Sequence, residues 1–100
     1  MTTDFRELEA AALGAMTAQE RARFDVAAAE EEARLRVAEL VYAARKRAKL
    51  TQGALAARMG TTQSVVSAVE NGAQLPSFVT LDKFARALGM SLRVEFQDVA

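Results

Sequence analysis

The positions of the helix-breaking residues constrain the fold of this 100-residue chain more than any other feature. The chain has one proline and five glycines, and none of them lies between residues 15 and 52. Because Thr17 and Glu20 have the spacing of a capping box, we expect one long helix from about residue 18 to about residue 48. The richness in Ala, Leu, Arg and Glu favours helices throughout, and a short helix is predicted before the long one, over about residues 5–13.

The other glycines and the proline divide the following segment into short helices. Two are predicted over about residues 51–59 and 62–71, since a threonine can cap each start and a glycine follows each end. Another opens at Pro76-Ser77, carries apolar residues at spacings of three and four, and ends at Gly89. The chain up to residue 89 is therefore predicted to be helical.

Residues 91–97 have the alternating pattern of a β-strand instead. One face would carry Leu92, Val94 and Phe96, and the other Arg93, Glu95 and Gln97. A lone strand cannot satisfy its backbone hydrogen bonds, and no second strand is predicted in this chain. We therefore expect antiparallel pairing with a second copy about a two-fold axis near Val94, so that Arg93 faces Glu95 of the other copy.

The absence of cysteine and histidine excludes several kinds of chemistry. It rules out disulfides, the usual zinc sites, a thiol nucleophile and a histidine general base. No glycine-rich phosphate-binding motif occurs either, so we expect no enzyme, no metal and no cofactor. The N-terminus does not resemble a signal peptide, and no run of about 18 apolar residues occurs, which predicts a soluble cytoplasmic protein.

The net charge is zero, but its distribution is uneven. Residues 1–44 carry nine acidic and five basic residues, a net charge of −4, and residues 45–100 carry four acidic and eight basic residues, a net charge of +4. Such a difference between the halves is typical of a chain with two different partners.

Two short helices joined by a glycine-led turn have the geometry of a helix-turn-helix. Ala56 is small enough for the second helix to cross closely, and Gly60 can adopt a positive φ without strain. The residues expected to fix the crossing angle are Leu55, Met59, Val66 and Val69. In this motif the second helix enters the major groove of DNA. The residues predicted to face the groove are Thr62, Gln63, Ser64, Ser67, Ala68 and Asn71.

The sequence of this segment resembles the Cro/CI-type (Xre) helix-turn-helix family over about residues 37–89. The segments that carry the resemblance are Leu50-Thr51-Gln52, Leu55-Ala56, Met59-Gly60-Thr61-Thr62-Gln63-Ser64, Val66-Ser67, Val69-Glu70-Asn71-Gly72, Pro76-Ser77 and Ala85-Arg86-Ala87-Leu88-Gly89. The long acidic helix before this region and the strand after it are similar to HigA- and HipB-type antitoxins of bacterial toxin–antitoxin operons. HipB-type antitoxins close their dimers with a two-stranded lid.

The resemblance implies a role for each candidate site residue. Thr51 and Gln52 correspond to the DNA-contacting start of the first motif helix, where the glutamine bonds a phosphate and braces the recognition helix. Gln63 corresponds to a glutamine that reads adenine through a bidentate contact. Ser64, Ser67 and Ala68 correspond to other groove-facing positions, and Asn71 to a phosphate contact. Arg45 and Glu70 correspond to a buried ion pair.

The sequence departs from the family pattern at three points. Ala68 is shorter than the usual polar residue and can offer only apolar contact to a thymine methyl group. Lys49 stands where the family often has glycine, so that this corner is expected to be strained or reshaped. The recognition helix has no lysine or arginine, so phosphate attraction must come from other residues. The candidates are Arg45, Lys46, Arg47, Lys49, Arg58 and Lys83.

The predicted fold class is therefore all-α, a Cro/CI-type bundle with an N-terminal helical arm (1–36), a DNA-binding domain (37–89) and a C-terminal dimerisation strand and tail (90–100). The predicted function is a homodimeric repressor of double-stranded operator DNA, the antitoxin of an operon that it represses while neutralising a toxin protein. Two alternatives stay open: a free-standing phage-type repressor without a toxin, and a protein-interaction module without DNA binding.

Overall fold

Five helices make up the regular secondary structure of residues 5–99, the part of the chain that the computed structural model describes. They are α1 (Phe5–Gly14), α2 (Ala18–Arg47), α3 (Gln52–Met59), α4 (Gln63–Glu70) and α5 (Phe78–Ala87). Since every regular element within residues 5–99 is a helix, the predicted all-α class is confirmed. The chain divides into two compact units, an N-terminal unit, Met1–Glu32, and a C-terminal unit, Ala33–Ala100.

Side-chain caps determine where three of the helices begin. Before α2, the N–H of Glu20 donates to Thr17 Oγ1 at 3.1 Å and the N–H of Thr17 donates to Glu20 Oε2 at 2.9 Å. Thr51 Oγ1 accepts the N–H three residues on at 3.0 Å, and Ser77 Oγ does the same at 3.2 Å. These three helix starts, including the reciprocal capping box at Thr17, are as predicted.

The start of α4 differs from the prediction, whereas glycines follow the ends of α3 and α4 as expected. Thr62 occupies the N-cap position with an extended backbone, but its side chain makes no capping hydrogen bond, so the expected cap is wrong. Gly60, before α4, and Gly72, after it, have φ values of 70° and 72°. An L side chain is strained in this left-handed region, and glycine is not.

The core of the C-terminal unit lies where α2, α3, α4 and α5 meet. Its largest fully buried side chains, each less than 2% exposed or at that limit, are Phe84, Leu55, Val66 and Val69. Val41 from α2 and the small Ala56 of α3 complete this cluster, with Met59 half-buried against it. Burying each large apolar side chain contributes about 1.5–3 kcal/mol, so these few residues fix the crossing of α3 and α4.

The apolar face of α5 is shorter than its sequence indicates. Phe84 is buried and Leu81 and Leu88 pack beside it, but Phe78, which continues the same spacing, is 67% exposed. Phe78 is the first residue of the helix, so its side chain lies beyond the edge of the small core.

The predicted strand over residues 91–97 is wrong for the single chain, since residues 90–99 have no regular secondary structure. A strand requires a neighbour for its backbone hydrogen bonds, and no segment within residues 5–99 supplies one. Leu92 is half-buried, whereas Val94 and Phe96 are exposed. Arg93 and Glu95 instead pair within the chain, with Nη2 and Oε2 3.0 Å apart.

Candidate nucleic-acid interface

The outer face of α4 collects the polar residues that the sequence predicts to face DNA. Val66 and Val69 turn inward to the core, and the opposite side lines one shallow depression. The residues of this depression are Gln63, Ser64, Ser67, Ala68, Asn71 and Ala73. Thr62 is exposed at the start of the same helix but is not among them. The surface therefore offers amides, hydroxyls and a methyl group without a charge, which suits hydrogen bonding to base edges.

Asn71 and Ser67 are joined at the end of this face. The Asn71 side chain donates from Nδ2 to Ser67 Oγ at 3.3 Å. The amide of Asn71, the C-cap residue of α4, is thereby held on the outer side of the helix. Asn71, which is predicted to contact a phosphate, and Ser67, which is predicted to face the groove of DNA, are therefore joined by a hydrogen bond.

At the opposite end of the face, Gln63 lies near the first turn of α3. A Cβ atom placed on Gly53 would be 3.9 Å from Gln63 Oε1. Gln63 is exposed, so its amide remains accessible at the N-terminus of α4, close to the open side of Gly53 in α3. This position at the first turn of a recognition helix is the one that enters a major groove.

Arg45 and Glu70 form a bidentate ion pair at the other end of α4. Arg45 donates from Nε to Glu70 Oε2 at 2.7 Å and from Nη2 to Glu70 Oε1 at 2.8 Å, and its Nη1 donates to the carbonyl of Leu50 at 2.8 Å. The two side chains are 10% and 3% exposed. The hydrogen bond with Glu70 raises the pKa of Arg45, while burial acts in the opposite direction. The pair fixes the last residue of α4 to α2.

Gln52 extends this buried pair to the surface. Its Nε2 donates to Glu70 Oε1 at 3.3 Å, so Glu70 accepts hydrogen bonds from both Gln52 and Arg45. Gln52 is half-buried, and Thr51 before it is exposed and caps α3. The glutamine that the family resemblance assigns to a phosphate is therefore oriented by the carboxylate of the recognition helix.

The structure separates the six candidate phosphate-attracting residues. Arg45 is used in the buried pair, and Arg58 donates from Nη1 to the carbonyl of Ala87 at 3.4 Å. Arg47 lines an apolar groove beside the C-terminal tail, and Lys46 lies over the ring of Tyr42. All of the six except Arg45 are exposed, and Lys49 and Lys83 are the two that make none of these contacts, so they are the first candidates for phosphate attraction.

Lys49 also occupies a strained corner. Its φ is 58°, and within residues 5–99 no other residue except glycine has a positive φ. The N–H of Leu50, the next residue, donates to the carbonyl of Arg45 at 3.3 Å, which closes the end of α2 as a glycine would. The strain predicted at this position is confirmed.

Sequence reasoning missed the contribution of Tyr42. The guanidinium carbon of Arg45 lies 5.4 Å and the Nζ of Lys46 5.9 Å from the centre of its ring. Both distances are within the range of a cation–π interaction. Tyr42 precedes these residues by three and four positions, the spacing of neighbours on a helix surface, which is the signal that indicates such contacts.

The chain also matches a known protein family. Residues 41–94 match a family model described as helix-turn-helix, and this match covers more than half of the chain, including α3, α4 and α5. The chain belongs to the Cro/CI-type helix-turn-helix family. Membership of the helix-turn-helix family supports the function of a DNA-binding transcription regulator. No curated protein and no solved structure matches the chain.

The described part of the chain has neither a cluster of metal ligands nor a membrane-spanning helix. Within residues 5–99, no group of three or more acidic, cysteine or histidine side chains is placed to hold a metal ion. No helix in the same range is long and apolar enough to cross a membrane.

Proposed function

We propose that this helix-turn-helix protein is a homodimeric, sequence-specific repressor that binds double-stranded operator DNA in its own promoter. The observation that carries the proposal is the gathering of Gln63, Ser64, Ser67, Ala68 and Asn71 on the one face of α4 that is not packed on the core. A two-fold dimer presents two such helices about 34 Å apart to a palindromic site and represses by occupying it. The proposal assigns no catalytic step to the chain.

Gln63 is the residue proposed to read a base. Its side-chain amide can donate to N7 and accept from the N6 amino group of adenine, a bidentate pair that distinguishes this base from the other three. Ser64 and Ser67 add hydroxyl groups that accept or donate, and Ala68 offers a methyl group to thymine. The Arg45–Glu70 pair holds α4 at its far end and leaves these side chains outside the core.

The test is operator binding by Gln63→Ala, measured by titration of the promoter duplex and of duplexes with single base changes. The substitution should cost about 1–3 kcal/mol of binding free energy and relax discrimination at one base pair in each half-site. Gln19→Ala, which removes an exposed glutamine of the N-terminal unit, is the matched control and should bind as wild type. Unchanged affinity and base preference in Gln63→Ala would contradict the assignment of α4 as the reading helix.

The proposed dimer uses the C-terminal tail. Its apolar and polar residues alternate, and Arg93 and Glu95 lie close enough to pair, as expected of residues two apart on the same side of an extended segment. Antiparallel pairing about Val94 would exchange this ion pair between copies and satisfy the backbone of both tails. The pattern therefore supports a two-stranded connection between two chains.

A second candidate function, neutralisation of a toxin protein, is favoured by the charge of the N-terminal unit. Met1–Glu32 carries eight acidic and three basic residues, a net charge of −5, so Ala33–Ala100 carries +5. The division into two compact units thus coincides with a change in the sign of the net charge. Three large apolar residues of the N-terminal unit, Leu8, Phe24 and Val26, are exposed. An acidic surface with exposed apolar side chains suits a basic protein partner, and a toxin that binds RNA needs a basic surface.

The toxin function is tested by co-expression with the reading frame next to this gene. Deletion of residues 1–29 should abolish neutralisation of a toxic neighbour and leave operator binding largely intact. The full-length variant Leu8→Ala/Phe24→Ala/Val26→Ala changes only exposed side chains of the N-terminal unit and should give the same loss. Full neutralisation by both proteins would place the toxin contact elsewhere. A neighbour without toxicity would favour a free-standing repressor, and absence of salt-dependent promoter binding would favour a protein-interaction module.

A further inference from the structure

An apolar groove of the C-terminal unit takes no part in the proposed reading of DNA. It lies between the end of α2, α5 and the first residues of the tail, and its volume is about 260 Å³. Its lining includes Leu40, Ala44, Leu81, Leu88 and Leu92. Leu40 is 59% exposed although it belongs to the best-packed unit of the chain, so the groove presents apolar surface to solvent.

Only the first residues of the tail lie in this groove. Residues 90–93 line the groove, with Leu92 half-buried in it, whereas the next apolar residues of the alternating series, Val94 and Phe96, are exposed. Phe96 has an exposed fraction of 104%, so its own chain gives its ring no cover. The C-terminal unit therefore has an open apolar groove and an aromatic side chain that no other residue within 5–99 covers.

The register of the proposed tail pairing brings these two features together. In an antiparallel pair centred on Val94, Leu92 of one copy faces Phe96 of the other, because the two residues are equally distant from Val94. Directly opposed residues project from the same face of a sheet. Leu92 is half-buried in the groove, whereas the side chain of Arg93 at its edge is 85% exposed, so the face with Leu92 is the one turned to the groove. Phe96 of the second copy lies on that same face.

We propose that Phe96 of each copy enters the groove of the other, beside Leu92, and that this exchange holds the dimer together. The inference rests on the proposed homodimer and adds the surface that forms it. The same register sets Asp98 of the second copy opposite Met90, in a groove that also includes Arg47. The groove of one copy thus meets both an apolar side chain and an opposite charge from the other.

A second copy fits this groove better than an unrelated partner does. Arg93 and Glu95 are equally distant from Val94. In an antiparallel pair of tails, Arg93 of each copy therefore faces Glu95 of the other. Pairing in this register satisfies the charges of both tails while covering both grooves. The sequence is therefore complementary to itself, which is the requirement of an interface with two-fold symmetry.

Sedimentation equilibrium of the full-length protein tests the exchange. We expect a dimer for wild type, and a dimer dissociation constant raised by roughly tenfold or more for Phe96→Ala and for Leu40→Lys. Val99→Ala removes a side chain of equal exposure outside the alternating series, and Leu35→Lys charges an exposed leucine of α2 that does not line the groove. Both controls should dimerise as wild type, with helical content unchanged in all four variants.

Sedimentation distinguishes a failure of the proposed homodimer from a failure of the proposed exchange of Phe96. A wild-type protein that sediments as a monomer overturns the proposed homodimer itself, whereas a wild-type dimer that Phe96→Ala and Leu40→Lys leave equally tight overturns only the exchange. Because the native chain has no cysteine, every disulfide of the double variant Leu40→Cys/Phe96→Cys joins these two positions only, and the two single cysteine variants show whether 40–40 or 96–96 links form. A covalent dimer on oxidation supports the exchange, and a link within one chain shows that a tail covers its own groove and overturns it.

Discussion

The N-terminal and C-terminal units differ most in how much of their surface is buried. Every residue from Ala18 to Glu32 is exposed, although this segment is helical throughout. In the C-terminal unit, Leu55, Val66 and Val69 have exposed fractions of 0–1%. A helix without packing is marginal in water, whereas a helix with a buried face is stabilised by its neighbours. The C-terminal unit therefore supplies stability, and the N-terminal unit supplies exposed surface.

The largest effect should follow from breaking the buried pair of the C-terminal unit. Glu70→Ala leaves the guanidinium of Arg45 buried without its carboxylate, which should lower the free energy of unfolding by about 3–5 kcal/mol in urea denaturation. The matched control is Asp82→Ala, which removes the carboxylate from Arg86, also at 2.8 Å but with side chains 79% and 41% exposed. An exposed pair of this kind contributes about 0–1 kcal/mol. Equal losses in the two variants would contradict the role of burial.

The same substitution, valine to alanine, should have different effects on stability in the two units. Val69→Ala removes a side chain that is 1% exposed and should cost about 2 kcal/mol or more, since a cavity remains in the core. Val26→Ala acts on a valine that is 59% exposed and should change the free energy of unfolding by less than about 0.5 kcal/mol. Thermal unfolding of both variants checks this. A similar loss for Val26 would mean that the N-terminal unit has packing of its own.

The smallest expected effect concerns strain that the C-terminal unit tolerates. Lys49→Gly should raise the free energy of unfolding by up to about 1 kcal/mol, because glycine adopts the φ of 58° without a steric penalty. The same change should weaken operator binding if Lys49 attracts phosphate, so stability and affinity would move in opposite directions. Lys83→Gly, inside α5, is the control and should lose about 1 kcal/mol of stability. A loss at both sites would exclude strain at Lys49.

The helix boundaries could be predicted because the signals that set them are local. A threonine or serine at an N-cap and a glycine beyond the last turn act within four residues, so Thr17, Thr51, Ser77 and Gly60 indicated the elements correctly. The outer face of α4 was predictable for the same reason, since helical periodicity separates it from Val66 and Val69.

Features that depend on distant contacts could not be predicted from the sequence pattern. The alternation of the tail gave a strand, but a strand needs a neighbour that the single chain does not supply. The third hydrogen bond of Arg45, to the carbonyl of Leu50, depends on how the chain turns between α2 and α3. The exposure of Phe78 depends on where the core ends, which periodicity alone does not give.

The attachment of α4 by its last residue has a consequence for how such a regulator can evolve. Glu70 and the two buried valines hold the helix from its inner side and its C-terminal end, while Gln63 and Ser64 at its first turn are exposed. If this face reads DNA as proposed, mutations at these two positions change which sequence is recognised with little loss of stability. A duplicated copy of this gene could acquire a new operator through a few such changes while it keeps the same scaffold.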